Sequence, residues 1–239
     1  MIEIQGLSKQ FPGVLAVDNI SFTTNKGEVF GLLGPNGAGK TTTLRMILSI
    51  LQPTSGRILV EGIDVRENAL AARAKIGCVL EDNGIYDRMS AEENVAFFGK
   101  LYGLDKTTIR ERTEKLFTAL EMKDFARRRA GTFSKGMKQK VAIARALISD
   151  PPVLIMDEPT AGLDVPTQRM ILDLLKEYRR QGKTILYSTH IMSEAEEICD
   201  RVAIIDRGRI RAIGTLSDLK QQTQQGNLED VFMQLVRNA

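Results

Sequence analysis

The stretch Gly34-Pro35-Asn36-Gly37-Ala38-Gly39-Lys40-Thr41 carries the most specific chemistry in the sequence. Its spacing, Gly-x-x-x-x-Gly-Lys-Thr, is that of a phosphate-binding loop. The glycines let the backbone curl tightly and aim successive N–H groups inward at an anion. The start of a helix adds a partial positive charge at the same place. Lys40 then reaches the β- and γ-phosphates of a nucleotide, and the Thr41 hydroxyl is placed to ligate Mg²⁺. Thr42, the next residue, belongs with the same binding set. The competing reading is a glycine-rich surface turn ahead of an ordinary helix.

Other reactive residues recur at the ends of apolar runs. Asp157-Glu158 closes the run Val153–Met156, and open α/β sheets bind ligands at the carboxyl ends of such strands. The same pair could be a solvated strand end. His190, the only histidine, follows the run Thr184–Ser188; a lone histidine is as readily structural as catalytic. Ser134-Lys135-Gly136 heads the helical pattern Val141–Ile148, which makes it either an anion site or an ordinary helix cap. Phe11 lies in a polar, Gly/Pro-containing loop, Lys9–Gly13. It is either a plug on the core or a face for adenine, and its local surroundings favour the plug.

The elements that must position these groups read as follows. Val29–Leu33 is a buried strand, and Leu44, Ile47 and Leu48 fall at helical spacing, so the phosphate loop joins a strand to a helix. The first 33 residues are β-rich, with alternation in Met1–Leu7 and Val17–Thr23 and a turn at Lys26-Gly27-Glu28. Strands are expected at 57–60 and 76–80, with a helix over 66–73 between them. From Ser90 the pattern turns helical, with helices over 91–102, 106–120 and 136–148. Met170, Ile171, Leu174, Leu175 and Tyr178 mark an amphipathic helix stopped at Gly182. Ser193 and Glu196 have the spacing of a capping box. Val202–Asp206 and Arg209–Ile213 form a hairpin across Arg207-Gly208, and the tail from Ser217 is helical around a poorly ordered, Gln-rich piece at 221–226.

Composition removes several classes. A net charge of +3 is too mild to argue for nucleic acid, and Arg127-Arg128-Arg129 reads as a solvated face. Cys78 and Cys199 have no metal or redox spacing, which suits a reducing compartment. Met1-Ile2-Glu3-Ile4-Gln5 is not the start of a signal peptide. No apolar run approaches the roughly 20 residues that span a bilayer, so service to a membrane would require a partner.

In this order and spacing, the phosphate loop, the Phe133-Ser134-Lys135-Gly136-Met137 turn, the Val153–Glu158 strand, Ala161-Gly162-Leu163-Asp164 and His190 resemble the ATP-binding subunit of an ABC transporter. The resemblance covers nearly the whole chain. It implies an α/β fold: a P-loop NTPase core with an antiparallel β portion and an inserted helical subdomain near 85–149, in one domain over 1–239 with a tail from about 217. It implies ATP and Mg²⁺ as cofactors. Phe11 would stack on adenine, Asp157 would hold Mg²⁺ through water, and Glu158 would be the general base. His190 would contact the γ-phosphate and position Glu158. Ser134 and Gly136 would bind ATP held by a second ATP-binding subunit, the same chain or a paralogue, with Asp164 along the dimer seam. The implied activity is ATP hydrolysis powering transport through a separate membrane permease, with the chain cytoplasmic and peripheral on the inner face of the cell membrane. Gly84-Ile85-Tyr86, the signature turn and Leu228-Glu229-Asp230-Val231-Phe232 look most like exporter subunits of the sodium-extrusion and drug-efflux type.

Three positions depart from the family pattern. The signature has Lys135 and Met137 where Leu-Ser-Gly-Gly-Gln is usual, and Gly162 stands where a bulkier residue is common. Glu81 replaces the glutamine expected after the strand 76–80 and would be a metal ligand in its place; the alternative sends Glu81 to solvent and gives the metal shell to Asp82 or a water. A soluble ABC-type ATPase acting as a mechanical clamp in DNA repair or translation is the alternative function. The chain lacks the coiled-coil insertions, zinc modules or tandem cassettes usual there. A P-loop kinase or GTPase is disfavoured by the signature turn and by the segment Ala161–Asp164.

Overall fold

The computed structural model describes residues 1–81 and 84–237. Two ten-residue strands, β1 (Ile2–Phe11) and β2 (Val14–Thr23), pair antiparallel. β1 runs through the segment expected to be a loop: Phe11 pairs with Val14, and only Pro12 and Gly13 turn. Ladder hydrogen bonds to β2 hold this end as strand despite its polar composition. β3 (Val29–Leu33) is buried throughout and leads through the glycine-rich loop into α1 (Lys40–Ile47). β4 (Ser55–Val60) and β5 (Ile63–Asp64) follow. α2 (Ala69–Arg73) is shorter than the spacing suggests, because the Arg66 N–H is taken by the Asp64 carboxylate and Asn68 supplies the cap. β6 (Ile76–Val79) ends just before Glu81.

The helices α3 (Ala91–Leu101), α4 (Lys106–Ala119) and α5 (Lys135–Leu147) form one group, as the sequence pattern indicates. α3 starts at a capping box of Ser90 and Glu93, α4 at Asp105 and α5 at Ser134, each side chain accepting a bond from an otherwise orphaned backbone N–H. Then come β7 (Val153–Asp157), α6 (Val165–Arg180), β8 (Thr184–Thr189), α7 (Met192–Ile198), β9 (Arg201–Asp206), β10 (Arg209–Thr215), α8 (Leu216–Thr223) and α9 (Leu228–Arg237).

Two sheets result. One is antiparallel, in the order β2-β1-β4-β5. The other has the order β10-β9-β3-β8-β7-β6 and is parallel except at the β9–β10 hairpin. Its strands alternate between two cores. Leu32, Ile155, Leu186 and Ala203 face the antiparallel sheet and α1, among Ile2, Ile4, Leu44 and Ile47. Leu33, Met156, Tyr187 and Ile204 face the helices, among Val141, Ile171, Leu175 and Ala195. Coverage on both faces is why these strands read as continuous apolar runs.

Two further expectations are corrected. α7 starts at Met192 after Ile191, with no side-chain cap, so Ser193 lies inside the helix. Glu196 instead pairs with Lys220 and accepts the Leu228 N–H, tying α7 to the tail. In the tail, 221–223 is the last turn of α8, anchored by buried Thr223, and the chain reverses at Gln224 in the left-handed region.

Candidate functional site

Sheet order brings the reactive groups together. β3 neighbours β8, and β8 neighbours β7. The register sets Leu33 beside Thr189 and Ser188 beside Asp157. The residues just past these three ends, Gly34, His190 and Glu158, therefore emerge at adjacent strand positions, spaced by about 4.8 Å per strand.

The loop after β3 is shaped by close backbone approaches. A Cβ on Gly34 would lie 2.3 Å from the Ile205 carbonyl oxygen. Gly39, at φ 105°, would put one 2.6 Å from the Ala16 carbonyl oxygen. Neither position admits a side chain without displacing backbone. Lys40 opens α1 and is only 5% exposed. Its ammonium donates to the carbonyls of Gly34 at 2.7 Å and Pro35 at 3.2 Å, and lies 3.5 Å from Glu158 Oε1. The next hydroxyl, Thr41, donates to Asp157 Oδ2 at 2.9 Å, and Ser188 donates to Asp157 Oδ1 at 2.8 Å. Asp157 is 2% exposed, so the solvated strand-end reading does not apply to it.

Glu158 has φ 47°, a left-handed conformation that costs energy for a residue with a side chain. The turn lets its N–H donate to the Ser188 carbonyl at 2.9 Å while its carboxylate swings toward the loop. There His190 Nδ1 lies 2.6 Å from Glu158 Oε2. A cleft of about 460 Å³ opens over this cluster. Pro35, Asn36, Gly37, Gly39, Lys40, Thr41 and Thr42 line it, with Glu81, Glu158 and His190 opposite. Ala38 is buried beneath the loop. A larger open groove of about 1070 Å³ between α3 and α4 has scattered surface charges and no comparable convergence of groups. Volume alone does not identify the reactive site.

The other sequence-derived residues stand apart from this cleft. Phe11 is 37% exposed at the end of β1 and joins neither apolar core, so it is not a plug. The Lys9 ammonium sits 5.1 Å from its ring centroid, and Ala16 of the same hairpin lines the cleft. Ser134 caps α5, its Oγ accepting the Met137 N–H at 3.3 Å, and Gly136 faces Thr167. Asp164 caps α6 through the Thr167 N–H, and hydrogen bonds from Thr167 hold its carboxyl below the usual carboxylate range. None of these four lines the cleft. Glu81 does, although it is exposed; Asp82 lies outside the described residues.

The residues present fit a magnesium nucleotide. The loop offers backbone N–H groups and an ammonium held by two carbonyls and the Glu158 carboxylate, while Thr41 and Glu81 in the cleft lining, and Asp157 bonded to Thr41, offer oxygen donors. Mg²⁺ on a nucleotide needs only one or two protein ligands, since phosphates and water supply the rest. Sequence reasoning missed Ser188, which fixes Asp157, and Gln139, which donates to the Pro159 carbonyl at 2.7 Å from within the signature helix.

Comparison with known proteins adds an independent line. The ABC transporter family profile matches residues 17–161. The chain is 44% identical over 243 residues to the ABC transporter ATP-binding protein NatA of Bacillus subtilis (strain 168), covering 99% of each. It is 42% identical over 221 residues to the Nod factor export ATP-binding protein I of Ralstonia nicotianae (strain ATCC BAA-1114 / GMI1000), covering 92% of this chain and 68% of that one. A dimeric ATP-binding cassette solved in a post-hydrolysis state with ADP and Pi superposes with a TM-score of 0.83 at 27% identity, over 90% of this chain and 99% of that one.

Proposed function

The chain belongs to the ABC transporter family, and from that premise we propose that it is the ATP-hydrolysing subunit of an exporter, acting as a dimer on a separate membrane permease. The convergence of Lys40, Glu158 and His190 over the phosphate loop carries this reading. No helix of the described residues is long and apolar enough to cross a membrane, and this reading places the membrane passage in a permease partner. That would hold the chain at the inner face of the cell membrane. Export as the direction rests on the subgroup resemblance and on the similarity to a Nod factor export protein.

The residues divide the work as follows. Gly34 to Thr42 cradle the phosphates, and Lys40 exchanges its carbonyl partners for phosphate oxygens, which bring an opposite charge to the ammonium. Thr41 and Glu81 would ligate Mg²⁺, with Asp157 holding it through water, and the ion so held would supply charge stabilisation on the transferring phosphoryl group. Glu158 takes a proton from the water that attacks the γ-phosphorus as the bond to ADP breaks. His190 orients Glu158 from 2.6 Å. Ser134 and Gly136, remote from their own cleft, act at the N-terminus of α5 on ATP bound to the second subunit, with Asp164 along the seam. In this scheme residues 1–239 act as one domain, and the α3–α5 group carries the signature turn.

Two substitutions probe the edges of this site. Phe11→Ala is expected to weaken ATP by about 1–3 kcal/mol, the range for base–aromatic stacking. GTP should weaken similarly, since every base has a π-face; equilibrium titration measures both, and unchanged affinities remove Phe11 from the site. Glu81→Gln replaces a charged ligand by a neutral one and is expected to raise the half-saturating Mg²⁺ concentration several-fold, with ATPase activity retained at excess Mg²⁺. The gap between ATP affinity with Mg²⁺ and with chelator should narrow too, because the carboxylate no longer repels metal-free phosphates. Superimposable Mg²⁺ titrations would rule out Glu81 as a ligand.

Purification of the chain from solubilised membranes tests the transport reading. A polytopic membrane protein should accompany it in stoichiometric amount. Recovery with DNA or ribosomes instead would favour the mechanical-clamp alternative.

A further inference from the structure

Behind the Glu158–His190 pair lies a carboxylate that no step above uses. Glu194, in the first turn of α7, is 8% exposed. Its Oε2 accepts hydrogen bonds from the Thr160 hydroxyl at 2.8 Å, the Tyr187 phenol at 2.8 Å and the Thr189 hydroxyl at 3.4 Å. Among the described residues no lysine or arginine pairs with it. The positive end of α7 supplies partial compensation. Burial, and next the Glu194 charge, push the Tyr187 phenol far above its ordinary value, so it stays a donor. A carboxylate buried without a cation is an expensive way to fill space.

The identity of the donors says what the carboxylate does. Thr160 stands two residues after Glu158, and Thr189 stands immediately before His190. The Thr189 hydroxyl also accepts the Ile191 N–H at 3.0 Å, closing the turn that carries His190. One oxygen therefore grips both turns that bear the reactive pair. We propose that Glu194 is a positioning residue, whose carboxylate ties the turn after β7 to the turn after β8 and so sets the Glu158–His190 geometry. This rests on the reading of Glu158 and His190 as the hydrolytic pair. The left-handed Glu158 backbone makes such a tie useful, because that conformation persists only when its surroundings hold it.

Steady-state ATPase kinetics on the full chain test this. Glu194→Gln replaces the carboxylate oxygen that all three hydroxyls reach by a weaker, neutral amide acceptor and turns the other terminal atom into a donor. The expected result is a fall in kcat of about 10- to 100-fold, the scale of a misplacement near 1 Å, with the KM for ATP within about twofold of the parent. In a Glu158→Gln background, adding Glu194→Gln should change the residual rate by less than about twofold, because the two residues act as one unit. Thr160→Val keeps the side-chain shape and removes one donor. It should lower kcat by about 3- to 10-fold at unchanged KM, and it decides the matter should Glu194→Gln fail to fold. A parent-like kcat in a folded variant overturns the proposal. So does an equal loss in both backgrounds, or a joint loss of kcat, ATP binding and thermal stability in both single variants. Failure of the hydrolytic reading is separately visible, since Glu158→Gln would then turn over near the parent rate with Glu194 intact.

Discussion

Glu158→Gln is expected to slow ATP hydrolysis by about 10² or more, the scale of a lost general base. ATP affinity should be equal to that of the parent or tighter. The substitution preserves volume and the left-handed turn, so the phosphate cradle is untouched. It removes the negative charge that lies 3.5 Å from the buried Lys40 ammonium, leaving Lys40 with only carbonyl partners to give up when phosphate arrives. Binding and chemistry should thus separate in one variant. If hydrolysis is what opens the dimer, the ATP-bound dimer of Glu158→Gln should outlive the parent dimer, seen as a larger species in sizing chromatography with ATP and Mg²⁺. A variant that turns over near the parent rate removes Glu158 from the base role.

How much of this site is legible in the sequence depends on how local each signal is. The phosphate loop is contiguous, and its glycines are demanded by backbone clashes at Gly34 and Gly39 that no other residue type relieves. The apolar runs ending at Asp157 and before His190 announce buried strands with reactive ends. Which strand lies beside which is a property of the whole sheet, and it alone explains why Ser188 meets Asp157. Glu194 gives no sequence signal, since a glutamate in a helix ordinarily faces water. Only the fold reveals the three hydroxyls around it. The pattern around Phe11 reads as a loop although the chain there is a strand, because β-ladder bonding does not depend on side-chain polarity, whereas the pattern does. The supposed capping box failed for a related reason. Thr189 and Ile191 set the start of α7, and Glu196 is occupied by the tail.

Lys40→Ala and Ser134→Ala should fail in different ways. Lys40 donates from inside the loop, so its loss removes a charged bond to phosphate worth about 1.5–3 kcal/mol, and ATP affinity of the isolated chain should fall about 10- to 100-fold. Hydrolysis at ordinary ATP concentrations should fall at least as far, because the same ammonium faces the charge that develops in the transition state. Ser134 lies outside its own cleft. Its loss weakens a helix cap whose bond to the Met137 N–H is long, at 3.3 Å, so stability should drop by about 1 kcal/mol or less. Monomer ATP affinity should stay unchanged, while hydrolysis falls with the loss of a donor to the partner's γ-phosphate. Mixing the two inactive proteins sharpens the contrast. In a mixed dimer, the Lys40 of the Ser134→Ala chain faces the Ser134 of the Lys40→Ala chain, which rebuilds one complete site and leaves the other doubly impaired. The mixture should therefore hydrolyse ATP faster than either protein alone at the same total concentration. Equal loss of nucleotide binding in both single variants, or a mixture no faster than its components, would show that the signature turn does not act across the dimer.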